Sequence, residues 1–258
     1  MNVILKADGL KKTFRLSAKQ QKLQSTKDKT IKAVDDLSFE AYEGEIFGLL
    51  GPNGAGKTTT LRMLATLIKA DEGEAMIDGV STRSHPEEVR AKIGFLTSEL
   101  KLEDFFTPNY LFDFFSELHQ IAPEAGLKRK KELFKKFGID KFAEVKVANL
   151  STGMKQKASL VISIVHDPKI IIFDEPTNGL DVLTAKVVTD FLLELREQGK
   201  TVIVSTHIFS LVEKICNRAG IIINGKMVAC DTLENLTSGA PLEDVFFNLY
   251  AEKAGEIV

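Results

Sequence analysis

The chain has 258 residues, 44% of them hydrophobic and 27% charged, with a formal net charge of −2, the balance of a globular protein long enough for a sizeable core. That charge excludes a basic molecule built to coat nucleic acid, and no apolar run approaches the roughly 20 residues a membrane span needs. Residues Met1 to Asp8 lack the apolar stretch of a signal peptide, and two cysteines without metal-like spacing, Cys216 and Cys230, read as inert thiols of a reduced compartment.

Residues 3–7 read as a first strand. From Lys11 to Lys32 stand eight Lys or Arg and one acid, Asp28, a pattern expected of a solvated loop or mobile insertion, with a basic patch facing acidic lipid or a partner as the alternative. The second half of Ala33–Ala41 alternates as a half-buried strand does, and Glu43-Gly44-Glu45 turns it into the apolar strand Ile46–Leu50. A helix is expected over Thr59–Ile68, then a strand Glu74–Val80 with a turn at Asp78-Gly79, a short helix opened by Pro86, and a buried strand Ile93–Leu96. From about Thr107 to His166 the spacing is helical throughout, which reads as an all-helical insert in an α/β domain. A strand returns at Lys169–Asp174, followed by a helix over 183–197, a strand Thr201–Ser205 and a helix near 209–216. The hairpin Ala219–Ile223 and Lys226–Ala229 turns at Asn224-Gly225, and a helical tail covers 231–258.

The strongest local pattern lies between Leu50 and Thr59. Gly51-Pro52-Asn53-Gly54-Ala55-Gly56-Lys57-Thr58 fits G-x-x-x-x-G-K-[ST] in full, flanked by a strand and a helix. In such a loop successive N–H groups and the helix N-terminus converge on an anion, and glycines let the backbone approach it closely. Lys57 would reach the β- and γ-phosphates of a nucleotide, and the Thr58 hydroxyl would ligate Mg²⁺. A second element ends the strand Ile170–Phe173 in two acids. Asp174 is placed to hold the Mg²⁺ shell and Glu175 to orient or deprotonate an attacking water. Ser151 reads as the N-cap of a long amphipathic helix.

Taken together, these residues resemble the ATP-binding cassette family over about residues 3–235, in family order. Gly51 to Thr58 matches the Walker A loop, with Thr59 following it, and Ile170 to Asp174 matches Walker B with Glu175 at the catalytic glutamate. Leu150-Ser151-Thr152-Gly153-Met154 resembles the signature motif LSGGQ, departing at Thr152 and Met154 and keeping Ser151 and Gly153, which approach the γ-phosphate in the family. Gly179-Leu180-Asp181 is similar to the D-loop, His207 matches the switch histidine, and Phe14 falls where an aromatic stacks on adenine. Ser98 stands where the family has a metal-contacting Gln. The resemblance implies a P-loop NTPase (RecA-like) core over about 1–96 and 167–230, with an antiparallel β subdomain, an inserted helical subdomain over about 97–166 and a tail over about 231–258. It implies ATP and Mg²⁺, catalysis by Lys57, Glu175 and His207, and a cytoplasmic position on the inner face of the membrane. One chain carries one copy of each motif, so a second cassette, an identical copy, is expected to complete the site, beside a permease. Thr97-Ser98 with Ser151–Gln156 is similar to the sodium-exporter branch. The aromatic run Asp104–Phe115 reads as helical core at Phe112 and Phe115, with some of the rest expected to line a groove that receives a cytoplasmic helix of the permease. The competing readings are a soluble cassette ATPase of translation or repair, another P-loop NTPase, and a binding module without turnover.

Overall fold

The computed structural model describes residues 2–23, 27–97 and 102–255. The apolar runs form a mainly parallel sheet of six strands, and the alternating segments form a second, antiparallel sheet of four. In chain order the strands are β1 (Val3–Arg15), β2 (Thr30–Tyr42), β3 (Ile46–Leu50), β4 (Glu72–Ile77), β5 (Val80–Ser81), β6 (Ile93–Leu96), β7 (Ile170–Asp174), β8 (Thr201–Thr206), β9 (Arg218–Ile223) and β10 (Lys226–Thr232). The helices are α1 (Ala18–Leu23), α2 (Lys57–Leu64), α3 (Pro86–Lys92), α4 (Pro108–Leu118), α5 (Pro123–Phe137), α6 (Thr152–Ser163), α7 (Val182–Glu197), α8 (Phe209–Ile215), α9 (Leu233–Leu236) and α10 (Leu242–Gly255).

The large sheet runs β10-β9-β3-β8-β7-β6, parallel except for the β9–β10 hairpin, and the small one runs β2-β1-β4-β5. β3, β7 and β8 are buried along their whole length, as parallel strands covered on both faces must be, which is why they read as continuous apolar runs. Two cores result. One lies between the sheets, around Phe39 stacked on Phe47, and the other joins the far face of the large sheet to the helices of 108–163. Phe112 is fully buried there, edge-on to Phe134, and Phe115 is partly buried against the same core. Among the described residues no strand occurs between Leu96 and Ile170.

The segment Lys11–Lys32 departs from expectation. Its ends are strand: Lys11–Arg15 continue β1, Thr30–Lys32 open β2, and Phe14 pairs with Ile31. No residue of β1 beyond Leu10 is buried, so this part of the ribbon faces water on both sides and lacks the period-two signal by which strands are recognised. The helix after the phosphate loop is also shorter than predicted. α2 stops at Leu64, and Thr66 turns the chain away at φ 60°. The tail begins as strand to Thr232 before becoming helical.

Candidate nucleotide and metal site

β8 lies between β3 and β7, with Leu50 opposite Thr206 and Asp174 opposite Ser205. Three carboxyl ends thus deliver the glycine loop, Asp174-Glu175 and Ser205-Thr206-His207 to one crevice, where open parallel sheets bind ligands. The loop is clamped from both sides. A Cβ on Gly51 would lie 2.4 Å from the Ile222 carbonyl oxygen, and one on Gly56, at φ 106°, would lie 2.3 Å from that of Ala33. Only glycine permits this approach of β9 and β2 to the loop. The Gly225 N–H donates to the Ala55 carbonyl at 2.9 Å, so the tip of the β9–β10 hairpin braces the loop as well.

Lys57 is 5% exposed, donates from Nζ to the carbonyls of Gly51 (2.7 Å) and Pro52 (3.2 Å), and faces Glu175 Oε1 at 3.3 Å. The Thr58 hydroxyl donates to Asp174 Oδ1 at 3.1 Å, and the buried Ser205 hydroxyl donates to the same oxygen. Asp174 is 1% exposed, yet its Oδ2 has no partner. A buried carboxylate oxygen without a donor is costly and calls for an explanation. The adjacent hydroxyl and carboxylate suit a hard divalent cation such as Mg²⁺, which binds through one or two protein oxygens and completes its shell from phosphates and water. Among the described residues no group of three His, Cys, Asp or Glu gathers to hold a metal unaided.

Glu175 adopts φ 51°, a left-handed conformation unusual outside glycine. Its N–H is held by the Ser205 carbonyl at 3.1 Å and hydroxyl at 3.2 Å, and its carboxylate lies 3.0 and 3.1 Å from His207 Nδ1. The backbone turn therefore aims the carboxylate between Lys57 and His207, and strain at this position is the kind that marks functional sites. A cleft of about 360 Å³ opens beside it, lined by Pro52 to Thr59, Phe14, Ala33, Glu175 and Asn178. Phe14 sits at the rim, 37% exposed, with the Lys12 ammonium 5.7 Å from its ring centre.

The remaining predicted residues gather elsewhere. Ser151 caps α6, accepting from the Met154 N–H at 3.3 Å, and Asp181 caps α7, accepting from Leu183 and Thr184, each at 3.0 Å. The Thr184 N–H and hydroxyl hold the Asp181 carboxyl below its usual range. A Cβ on Gly153 would stand 3.7 Å from Thr184 Oγ1 and 3.9 Å from Asp181 Oδ2, so these three residues form a second cluster at the starts of α6 and α7. None of them lines the cleft beside Lys57. Ser98 lies outside the described residues. Four contributors escape sequence reasoning: Ala33, Asn178, Ser205 and the Asn224-Gly225 turn. A hydroxyl closing the apolar strand Val202–Val204 was a readable signal for Ser205, whereas the other three act through contacts that only the fold creates.

Residues 34–178 match the family model described as ABC transporter. The ABC transporter ATP-binding protein NatA of Bacillus subtilis (strain 168) is 36% identical over 220 residues, 85% of this chain and 89% of that one. The linearmycin resistance ATP-binding protein LnrL of the same organism is 34% identical over 205 residues, 80% of this chain and 66% of its own. Among solved structures, a dimeric ATP-binding cassette in a post-hydrolysis state bound to ADP and Pi aligns with a TM-score of 0.77 at 27% identity, covering 89% of this chain and 98% of that one.

Proposed function

The chain belongs to the ABC transporter family as an ATP-binding, ATP-hydrolysing subunit, and on that premise we propose that it drives an exporter through a separate membrane permease. The observation that carries the site assignment is the convergence of Lys57, Thr58, Asp174, Glu175 and His207, with one buried Asp174 oxygen left for a cation. The glycine loop and the N-terminus of α2 cradle the phosphates of ATP, and Lys57 pairs with their charge. Thr58 and Asp174 would hold Mg²⁺, and the ion would supply positive charge to neutralise that of the phosphates. Phosphate oxygens compete with Glu175 for Lys57, and a Glu175 carboxylate released from it accepts the proton of the attacking water. His207, donating from Nδ1, keeps that carboxylate aimed. Phe14 at the rim stacks on the base.

Ser151, Gly153 and Asp181 lie apart from the Lys57 cleft, which supports a composite site in which a second, identical chain presents its signature cluster to the ATP held here. The dimeric state of the post-hydrolysis cassette supports the same reading. The described part of residues 97–166 is the helical subdomain in this proposal, and the exposure of Phe105, Tyr110 and Phe114 supports a surface there that meets the permease. The resistance function in the name of one relative supports export. Sodium ion is the proposed cargo, on the resemblance carried by Thr97-Ser98 and Ser151–Gln156.

The test is the mass in solution of Glu175→Gln protein with and without Mg-ATP, by size exclusion with light scattering. Removing the base and keeping its shape should trap ATP and convert monomer to dimer. A variant that binds ATP but stays monomeric refutes pairing of identical chains, and one that does not bind ATP refutes the site itself.

A further inference from the structure

A second cavity, of about 200 Å³, lies at the far end of α2 and shares no residue with the nucleotide cleft. Its floor is apolar, from Leu10 of β1 and Met63 of α2, both almost fully buried, with Ile68 beside them. Its rim carries three cations, Lys69, Arg83 and Arg90, and its lining contains no carboxylate. Three like charges gathered over apolar surface, with no acid among them, repel one another and gain little from the wall behind them.

Neighbouring acids do not relieve this. Asp71 and Glu72 bind Lys12 and Lys11, and Glu74 accepts from the Ser81 hydroxyl. Arg90 Nη1 donates to Thr66 Oγ1 at 3.0 Å, while its guanidinium stands 4.0 Å from Glu87, whose side chain is 91% exposed, a pairing that water screens almost completely. Among the described residues no ion pair or side-chain hydrogen bond engages the Lys69 ammonium or the Arg83 guanidinium. Thr66, turned to φ 60° where glycine is usual, directs the chain after α2 along the cavity and presents its hydroxyl to Arg90.

We propose that this cavity binds a small organic anion, a carboxylate or phosphate monoester carried on a short hydrocarbon body. The floor removes the hydrocarbon from water, and the two guanidinium groups offer the planar donor forks that match such anions, with Lys69 adding a third charge. The volume lies below the roughly 300–1,000 Å³ typical of drug-sized sites, which restricts the body to a single short hydrocarbon chain. The occupant would rest on Met63 and Thr66, at the end of the helix whose first residue is Lys57.

Isothermal titration of the full chain with octanoate and with octyl phosphate tests the proposal, beside 1-octanol and inorganic phosphate as the apolar and anionic halves alone. One saturable site is expected for both amphiphiles, with either half alone binding more weakly. Arg83→Ala and Lys69→Ala should each weaken binding about ten- to hundredfold, the loss of one charge-assisted contact. Both side chains are surface-exposed, and unchanged binding of a fluorescent ATP analogue to each variant checks that the fold is intact. Failure of both amphiphiles to saturate overturns the proposal, as does undiminished affinity in the double variant or equal affinity for either half alone. Phosphatidylglycerol vesicles that bind in an Arg83-dependent way while octyl phosphate does not would equally overturn a free solute as the ligand.

Discussion

Gly56→Ala and Gly54→Ala separate backbone strain from steric contact in the phosphate loop. Both glycines have positive φ, 106° and 82°, but a Cβ at position 54 meets nothing within 4 Å, whereas one at position 56 lies 2.3 Å from the Ala33 carbonyl oxygen. Placing alanine in left-handed backbone costs about 1–2 kcal/mol at either site. At Gly56 the Ala33 carbonyl belongs to β2 and cannot swing aside as a side-chain end would, which adds about 1–3 kcal/mol of overpacking. Gly56→Ala should therefore lose about 2–5 kcal/mol in all, against about 1–2 kcal/mol for Gly54→Ala. For a chain of this size the gap corresponds to roughly 2–12 °C in melting temperature, measurable by scanning calorimetry. ATP affinity, followed with a fluorescent analogue, should fall further in Gly56→Ala, because either the loop or β2 must retreat. Equal melting temperatures for the two variants would refute the claim that contact with β2 fixes the loop.

Three further outcomes are expected. Ser205→Ala removes a buried donor to Asp174 and one of the two oxygens holding the Glu175 N–H, so it should cost about 1–3 kcal/mol in urea denaturation and lower kcat of ATP hydrolysis. Unchanged kcat would mean that Ser205 does not position the acids. His166 stacks on His119 with ring centres 4.0 Å apart, and its pKa is pushed down to about 4, first by burial and then by the neighbouring His119. The folded form resists the proton that the unfolded chain accepts from about pH 6.5. Its contribution is thus complete above pH 6.5 and lost as pH falls towards 4, roughly 1–3 kcal/mol once screening at its half-open edge is allowed for. His166→Gln should flatten the stability profile across that window, and an unchanged slope would exclude His166 as its source. Burial pushes the Cys216 thiol up to about 12, so iodoacetamide should leave it unmodified in native protein at pH 8 and alkylate it after denaturation, as read by peptide mass; native labelling would show that the packing between β3 and α8 opens.

The amino-acid sequence by itself determined the elements that carry chemistry, because their signals are local. The run from Ile46 to Thr58 specifies strand, glycine turn and helix within a few residues, and the apolar strand ending at Asp174 marks where its acids emerge. Family order adds the expectation that Ser151, Gly153, Asp181 and His207 serve the same reaction. The tertiary structure decided what those residues meet. Lys11–Lys32 reads as a charged loop because water-facing strands carry no alternation, and pairing of Phe14 with Ile31 across the ribbon brings an aromatic to the rim of the cleft. The clamp of Ala33 and Gly225 on the loop, the unpartnered Asp174 oxygen and the cations gathered above Leu10 and Met63 arise from segments far apart in the chain. Periodicity reports which face of an element is buried. Which atoms are buried against it depends on how the two sheets and the helices close on one another, and that is decided only when they pack.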